Sequence, residues 1–374
     1  MDLLIVNGTV IDPSQHIFGS FDVGINNGRM AGIFQPGSVP EDSAKETIDA
    51  SGCLVTPGLI DLHTHVFEQR TALGINADHV GVEQGVTSIV DAGSTGCRDF
   101  RSFLRNVVEK NQTRVLLWIN IASQGLCDGL SELSDLSMLK PAETEELIKQ
   151  YPLIRGIKAR MSRSVVKENG IKPLLIAKKL AQKTGLPLMV HIGNSPPGLG
   201  DILDLLDRGD VVTHAFHGKR GGILDEDGHL IPEADRALKR GVLFDVGHGS
   251  SSFSFQTMKR AKELQVFPHT ISTDIYRGNV NGPVFSLVMT MAKCLSLGFP
   301  LSEVIEASTW TPAKVLGLSD EIGTLKKQNI ADVTILKRIP EPVTLVDSEN
   351  QQMKANSYLK VKYTIKSGKV WRHD

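Results

Sequence analysis

The sequence has few of the features that mark disulfide-rich, membrane-spanning or nucleic-acid-binding proteins. Its 374 residues include only four cysteines, which lie far apart and form no C-x-x-C pair. This spacing argues against a disulfide framework or a zinc ribbon, and it fits a reducing compartment. The 41 basic and 42 acidic side chains give a net charge of -1, and no basic run is interleaved with aromatic residues. We therefore do not expect a nucleic-acid partner.

Long apolar runs are also missing. The best one, from Val284 to Phe299, is interrupted by Lys293 and is too short to span a bilayer. The N-terminal stretch MDLLIVNGTVIDPSQ has an aspartate at its second position and soon reaches polar turn residues, so it lacks the layout of a signal peptide. The sequence thus predicts a cytoplasmic protein without a membrane partner.

The two ends of the chain have the pattern of short strands joined by tight turns. Asn7-Gly8 and Asn27-Gly28 are turn signals near the start, and Ser367-Gly368 is one near the end. Either fragment alone is too small for a well-buried sheet, so we expect the two ends to pair. The predicted bounds are 1–55 plus 318–374 for a small β-sandwich domain, and 56–317 for the domain between them.

Eight apolar, β-branched runs recur in the middle of the chain, and most are followed by a stretch with helical spacing. The segment from Ile171 to Gly185 is one such stretch, with apolar residues three and four apart and a glycine at its end. Eight strand–helix units over roughly 260 residues favour an α/β fold of the closed (β/α)8 TIM-barrel type over an open doubly wound sheet. The runs are LIDLHTH, GVTSIVDAG, RVLLWINIA, IRGIKARMS, LPLMVHIG, DVVTHAF, VLFDVGHG and HTISTDIY.

Six polar side chains that could bind a metal or a proton fall at the ends of five of these runs. In a barrel of this type, the carboxyl ends of the strands form one rim, where the chemistry takes place. A single histidine is more often hydrogen-bonded in a core or a loop, and a single lysine usually extends its charge to solvent. Six such positions on one rim favour a shared site. They are His63, His65, Lys158, His191, His214 and Asp274.

Nitrogen and oxygen ligands of this kind suit zinc, and manganese or iron would also be compatible. One catalytic zinc usually takes three protein ligands, so five strong ligands favour two divalent ions about 3.5–4 Å apart. Lys158 cannot bind a metal as an ammonium, because that group has no lone pair. Asp61 should point the same way as His63 and His65, where it either supports them or faces the barrel core.

This arrangement resembles the amidohydrolase superfamily, whose binuclear members carry an H-x-H pair, a carbamylated lysine, two histidines and an aspartate. VTPGLIDLHTH is similar to the first-strand motif of that family, and IGTLKKQNIADVTIL is similar to its return to the small domain. The resemblance implies that Lys158 adds carbon dioxide and that the carbamate joins the two ions. The implied ligands are His63, His65 and Asp274 for one metal, and His191 and His214 for the other.

With two ions in place, a bridging hydroxide would be available near neutral pH and would attack a metal-polarised carbonyl. We expect Asp274 to accept its proton and to pass it to the leaving group. Arg160 follows Lys158 by two residues and should face the same side. It would stabilise the oxyanion, bind a substrate carboxylate, or form a structural salt bridge at the barrel mouth. Weaker candidates in rim loops are His217, His248, Arg220 and Arg277.

The residues around these motifs narrow the reaction. Mononuclear deaminases of the superfamily carry a glutamate where this sequence has Asn194, and dihydroorotases carry an arginine shortly after the H-x-H pair, where this one has Val66-Phe67. GIKARMS and VVKENGI are similar to the deacetylase-like branch, whose members are often labelled dihydroorotase-like. This resemblance implies an enzyme that hydrolyses an acyl ester or amide of a small carboxylate-bearing compound.

Two alternatives stay open at this point. A dihydroorotase-like cyclic amidase would need other rim residues to hold its substrate, and a catalytically silent barrel scaffold would not need all six ligand positions. The expected partner is a small, anionic substrate molecule, and a homo-oligomer would also be compatible with the sequence. The substrate itself, the physiological metal and the oligomeric state do not follow from these patterns.

Overall fold

A computed structural model describes residues 1–373 of the chain. Five strands come first: β1 Leu3–Asp12, β2 Ile17–Asn26, β3 Arg29–Phe34, β4 Glu46–Asp49 and β5 Cys53–Pro57. Seven central strands follow: β6 Leu59–Thr64, β7 Val86–Ala92, β8 Arg114–Asn120, β9 Ile154–Met161, β10 Leu188–Ile192, β11 Val211–Thr213 and β12 Leu243–Asp245. Five more come last: β13 Val333–Ile339, β14 Val343–Val346, β15 Gln352–Ala355, β16 Tyr358–Lys366 and β17 Lys369–Arg372.

Strands from the two chain ends form one eight-stranded sheet. Its order is β17-β16-β13-β5-β1-β2-β3, with β4 also paired to β1. The two ends are joined where β5 pairs antiparallel with β13. Buried aliphatic side chains from both ends, among them Ile5, Val55 and Ile335, share one hydrophobic core. The β-rich domain predicted from the chain ends is therefore present, whereas its predicted residue bounds remain a prediction.

One of the three predicted turns is wrong. Asn7 and Gly8 lie inside β1, where the pairing register shifts between Ile5 and Gly8. Asn7 has a φ of 62°, so the left-handed conformation that an Asn-Gly pair allows forms a bulge here and not a chain reversal. Asn27-Gly28 and Ser367-Gly368 do join antiparallel neighbours, as predicted.

The seven central strands are parallel neighbours in chain order and form the wall of the barrel. The predicted eighth strand, residues 269–276, makes only isolated bridges, one from Thr270 to Asp245 in β12 and one from Ile275 to Thr64 in β6. This segment, called segment 8 below, lies between the first and last strands without becoming a regular strand. The α/β fold of the TIM-barrel type is confirmed, with this irregular closure.

Helices and short turns alternate with the barrel strands. The helix predicted between Ile171 and Gly185 runs from Lys172 to Thr184, and Gly185 ends it with a φ of 69°, which glycine adopts without a Cβ clash. The helices are α1 Ala77–Val80, α2 Phe100–Phe103, α3 Pro141–Gln150, α4 Arg163–Val166, α5 Lys172–Thr184, α6 Leu199–Asp204, α7 Pro232–Arg240, α8 Phe255–Glu263, α9 Leu287–Ser296, α10 Leu301–Glu306 and α11 Trp310–Val315.

Across residues 1–373, no helix has the length and apolar character needed to cross a membrane. The cytoplasmic location stays a prediction.

A cavity of about 780 Å³ opens at the end of the barrel where the strands begin, beside Pro187, Asp210 and Leu243. None of the six predicted ligands lines it. The candidate chemistry therefore lies at the opposite rim, where the strands end.

Candidate active site

Five of the six predicted ligands come into direct contact at the carboxyl rim of the barrel. The Nε2 atoms of His63 and His65 lie 3.4 and 3.1 Å from Asp274 Oδ1. His214 Nε2 lies 3.9 Å from the other oxygen of that carboxylate. Lys158 Nζ lies 3.3 Å from His63 Nε2. Asp274 therefore stands among three imidazoles, and the lysine adjoins the same group.

His191 joins this group through His214. The two rings meet edge to face, with centroids 4.4 Å apart. The backbone at Gly193 also lies close to the His191 ring, since a Cβ built there would be 3.5 Å from Nε2. All six side chains predicted from the sequence are thus brought together, with His63, His65 and Asp274 as the tightest cluster of donor atoms.

Burial keeps three of the candidate histidines neutral. His63 and His214 are at most 1% exposed. Burial lowers the pKa of His214 to about 3, although the Asp274 carboxylate acts in the opposite direction. Burial likewise lowers the pKa of His63 and of His191. A neutral imidazole has a free lone pair, which is the form that binds a metal.

Hydrogen bonds determine which ring nitrogen carries the proton in two of these histidines. His214 Nδ1 lies 2.6 Å from the Gly247 carbonyl oxygen, which can only accept, so Nδ1 donates. The Thr213 hydroxyl donates to Asp245 at 2.7 Å, so His63 Nδ1, which lies 2.8 Å from that hydroxyl, must donate to it. In both rings the Nε2 lone pair is therefore left for the site.

The donor set fits divalent metal ions. His214 Nε2 is buried and has no hydrogen-bond partner within residues 1–373. Leaving such an acceptor unpaired costs about 1–3 kcal/mol. A cation would take up this lone pair and those of His63 and His65, and it would balance the charge of Asp274. Nitrogen and oxygen donors are those that zinc and similar ions take.

Lys158 lies in the second half of β9, three residues before the strand ends at Met161, and its side chain is completely buried. Burial lowers its pKa to about 7, partly opposed by the Asp274 carboxylate. A sizeable fraction of this amine is therefore unprotonated near neutral pH. The backbone of Gly93, with a φ of 85°, packs against the lysine stem, and a Cβ built there would lie 2.9 Å from Lys158 Cγ. Glycine is thus required for both the conformation and the approach.

Asp61 supports segment 8 and not the imidazole rings. Its carboxylate accepts hydrogen bonds from the backbone N–H of Thr273 at 3.0 Å, from the Thr273 hydroxyl at 2.5 Å and from the backbone N–H of His63 at 3.3 Å. Burial raises its pKa to about 7. Asp61 therefore ties β6 to the residue that precedes Asp274.

Two of the candidate ligands have a left-handed backbone, with φ of 69° at His214 and 48° at Asp274. Histidine and aspartate adopt this conformation more readily than most residues, although it still costs free energy. The Asp274 N–H donates to the His63 carbonyl at 2.7 Å and so helps to hold the strained residue in place. On its other side, a Cβ built on Gly249 would lie 2.7 Å from Asp274 Oδ2.

Arg160 is held by an acidic side chain. Its Nη1 donates to Glu132 Oε2 at 3.1 Å, and the Glu132 side chain is fully buried. This contact is the structural salt bridge considered as the alternative for Arg160, whose role toward a substrate stays a prediction. Of the four weaker candidates, two are buried and two are exposed. The buried pair is His217 and His248, and the exposed pair is Arg220 and Arg277.

Comparison with known proteins decides the family. Residues 54–371 match the amidohydrolase family. The chain is also 38% identical to a deacetylase of Enterococcus faecalis strain V583, over 99% of both sequences. The chain belongs to the amidohydrolase family. It is therefore a hydrolase, of a family that generally uses a binuclear metal centre.

Solved structures support this family assignment. A crystal structure of an adenine deaminase aligns with a TM-score of 0.93 and 37% identity over the full length of both chains. A crystal structure of a dihydroorotase aligns with a TM-score of 0.91 and 30% identity, over all of this chain and 99% of the other. These similar amidohydrolases carry three different activity names, so similarity alone does not identify the substrate.

Sequence reasoning missed the side chains that hydrogen-bond to the candidate ligands or to the residues beside them. Asp245, at the end of β12, accepts hydrogen bonds from three hydroxyl groups. It thereby joins β12 to the neighbouring strand β11 and to segment 8. Ser94 Oγ lies 3.0 Å from His65 Nδ1. The sequence does contain a signal for Asp245, because the aspartate of the run VLFDVGHG lies near the end of a predicted strand. In the structure it pairs in register with Thr213 of the neighbouring strand. The three donors to Asp245 are Thr213, Thr270 and Ser272.

Proposed function

We propose that this amidohydrolase is a metal-dependent deacetylase that removes an acyl group from a small carboxylate-bearing ester or amide. The observation that carries the proposal is the buried group around Asp274, in which three imidazole nitrogens lie 3.1 to 3.9 Å from its carboxylate. The similarity to a deacetylase over nearly the whole chain favours acyl removal. Asn194 has no carboxylate for the proton transfer that deamination would need.

The metal ligands in this proposal are those that the sequence predicts, and zinc is the ion that best suits them. Lys158, as a carbamate, would join the two ions, because its buried amine is partly unprotonated and lies beside His63. When bound, the ions would polarise the acyl carbonyl and acidify a water molecule. The proposed ligands are His63, His65 and Asp274 for one ion, and His191 and His214 for the other.

In this proposal, Asp274 moves the proton. Burial alone would raise its pKa, but the hydrogen bond with His65 and the positive charge of Lys158 together outweigh burial and lower it. The group is therefore a carboxylate at neutral pH. It can accept a proton from the attacking water and pass it to the leaving oxygen or nitrogen.

A cyclic amidase is the second candidate, because the structure of a dihydroorotase aligns closely along the whole chain. It differs from the first in the bond that is cleaved, which lies within a ring. A catalytically silent scaffold is disfavoured, since such a protein would have no need to keep all six side chains together in a buried site.

Metal content and substrate range test the proposal together. Protein loaded with zinc and bicarbonate is analysed for metal and incubated with N-acetyl amino acids, acetylated 2-hydroxy acids and dihydroorotate. We expect about two ions per chain and release of acetate. Lys158→Ala should lose at least one ion and most of the activity. Lys178→Ala is the matched control, because Lys178 is a largely buried lysine that binds Asp210 at the opposite rim.

Three outcomes would contradict parts of this proposal. Ring opening of dihydroorotate without acetate release would favour the cyclic amidase. Full metal content and wild-type turnover in Lys158→Ala would refute the ligand role of the lysine. Absence of bound metal in wild-type protein, despite saturating zinc and bicarbonate, would refute the metal centre.

A further inference from the structure

A carboxylate-bearing substrate needs a cationic side chain close to the metal ligands, and the arginines at the rim do not supply one. Arg160 is already paired with the buried carboxylate of Glu132. Arg220 is 95% exposed and has Glu226 at 3.8 Å. Arg277 is exposed to solvent. None of these arginines combines partial burial with a charge that is still unpaired.

Lys219 does combine these two properties. It follows His214 by five residues and is half-buried, and within residues 1–373 its Nζ makes no ion pair and a single hydrogen bond, to Ser251 Oγ at 3.2 Å. Its charge also acts on two candidate ligands: burial is the main reason for the lowered pKa of His191 and of His214, and Lys219 makes a small contribution in the same direction. Burial in turn lowers the pKa of Lys219, and the Asp274 carboxylate opposes that change.

The backbone that carries Lys219 is held on both sides. Its N–H donates to His217 Nδ1 at 3.1 Å. The preceding residue, Gly218, lies against the Glu349 carboxylate so closely that a Cβ would be 2.1 Å from Oε1. The Ser254 hydroxyl donates to the other oxygen of Glu349 at 2.8 Å. The ammonium group is therefore presented from a pre-positioned loop, which lowers the entropic cost of binding an anion.

The loop from Gly249 to Ser251 contacts both the Asp274 carboxylate and Lys219. Gly249 packs against the Asp274 carboxylate, and Ser251, two residues later, accepts a hydrogen bond from Lys219. Two residues of chain span at most about 7 Å. Between them, Ser250 Oγ lies 2.7 Å from the Tyr276 hydroxyl. A small molecule with its acyl carbon beside Asp274 could therefore place a carboxylate near Lys219.

We propose that Lys219 binds the substrate carboxylate and so restricts the enzyme to acyl derivatives of small carboxylic acids. This inference rests on the proposed deacetylase function. An ammonium group binds a carboxylate as a point charge and tolerates several geometries, so it would accept both 2-hydroxy acids and amino acids as the acylated partner.

Paired substrates that differ only in the carboxylate test this role. Metal-loaded wild-type enzyme and Lys219→Gln are assayed with N-acetylalanine and N-acetylalaninamide, and with O-acetyl-lactate and O-acetyl-lactamide. We expect Lys219→Gln to reduce the acid-to-amide ratio of kcat/KM at least about ten-fold, chiefly through KM, because a charged hydrogen bond is lost. Lys219→Arg should restore much of the ratio. Arg220→Gln, which changes the exposed neighbouring cation, should leave the ratio unchanged.

Binding measurements separate this inference from the proposed function. Titration calorimetry with lactate and lactamide reports on the carboxylate even if none of the acetylated compounds is hydrolysed, a result that would count against the deacetylase proposal alone. Weaker lactate binding in Lys219→Gln, with Arg220→Gln like the wild type, supports the role of Lys219. Equal binding of lactate and lactamide by the wild type overturns it, and so does an unchanged acid-to-amide ratio in Lys219→Gln.

Discussion

Replacing Asp61 with alanine should weaken both the fold and the metal site. The Asp61 carboxylate is 1% exposed and joins β6 to segment 8, which has no regular strand pairing of its own. Alanine removes an acceptor for three hydrogen bonds and leaves the backbone N–H groups of Thr273 and His63 buried without a partner. Thr273 directly precedes the candidate ligand Asp274, and His63 is itself a candidate ligand. The loss of these hydrogen bonds should therefore also lower the affinity for metal.

The size of the effect follows from these contacts. Each buried donor left without a partner costs about 1–3 kcal/mol, so two backbone N–H groups give about 2–6 kcal/mol in the free energy of unfolding. The Thr273 hydroxyl adds little, because it also lies 3.3 Å from the His63 carbonyl oxygen and can donate there. Metal affinity should fall together with stability, since Asp274 directly follows the released Thr273.

Urea unfolding of the metal-free protein, followed by tryptophan fluorescence, measures the first effect, and zinc titration measures the second. Asp49→Ala is the matched control. The Asp49 carboxylate also accepts three hydrogen bonds, from Asn7 Nδ2 and from the N–H and hydroxyl of Ser51, but it lies at the surface. Water can accept hydrogen bonds from these donors once the carboxylate is removed, so the control should lose much less stability and no metal affinity.

The reasoning would be refuted by Asp61→Ala behaving like Asp49→Ala. An equal, small change in the free energy of unfolding would mean that the Thr273 and His63 N–H groups find other partners. Unchanged zinc affinity in a destabilised variant would mean that the position of Asp274 does not depend on Asp61.

Two further predictions concern backbone space and pH. Gly93→Ala should displace the Lys158 stem and reduce the metal content of the protein. The control Gly52→Ala, at a φ of 69° with open space around it, should cost only backbone strain and leave the metal content unchanged. Metal analysis of both purified variants tests this prediction, and an equal metal content would contradict it. Burial lowers the pKa of Lys293 to about 7 from 10.5, so the unfolded chain holds this proton over a pH range in which the folded protein has lost it. The free energy of unfolding of the wild type, measured by urea titration relative to Lys293→Met, should therefore rise by about 2 kcal/mol from about pH 7 to 9. A difference between the two proteins that does not change with pH would contradict this.

Local patterns were sufficient to find the barrel and the six candidate ligands. The alternation of side chains along a strand places His63 and His65 on one side, and the repeat of apolar runs locates Lys158, His191 and His214 toward the carboxyl ends of strands. Each of these inferences needs only the residues of one run. The same local reasoning failed at Asn7-Gly8, because an Asn-Gly pair suits a bulge as well as a reversal, and only the strand opposite decides between them.

The groups that position the candidate ligands could not be found in this way. Asp61 contacts Thr273 from 212 positions away in the sequence, and Thr213 contacts His63 from 150 positions away. Arg160 likewise meets a carboxylate outside its own strand, at Glu132. Such pairs form because barrel closure brings distant strand ends together. The sequence alone thus determined which side chains reach the rim, whereas the tertiary structure decided which of them stay unpaired, and so which are free to bind a metal or a substrate.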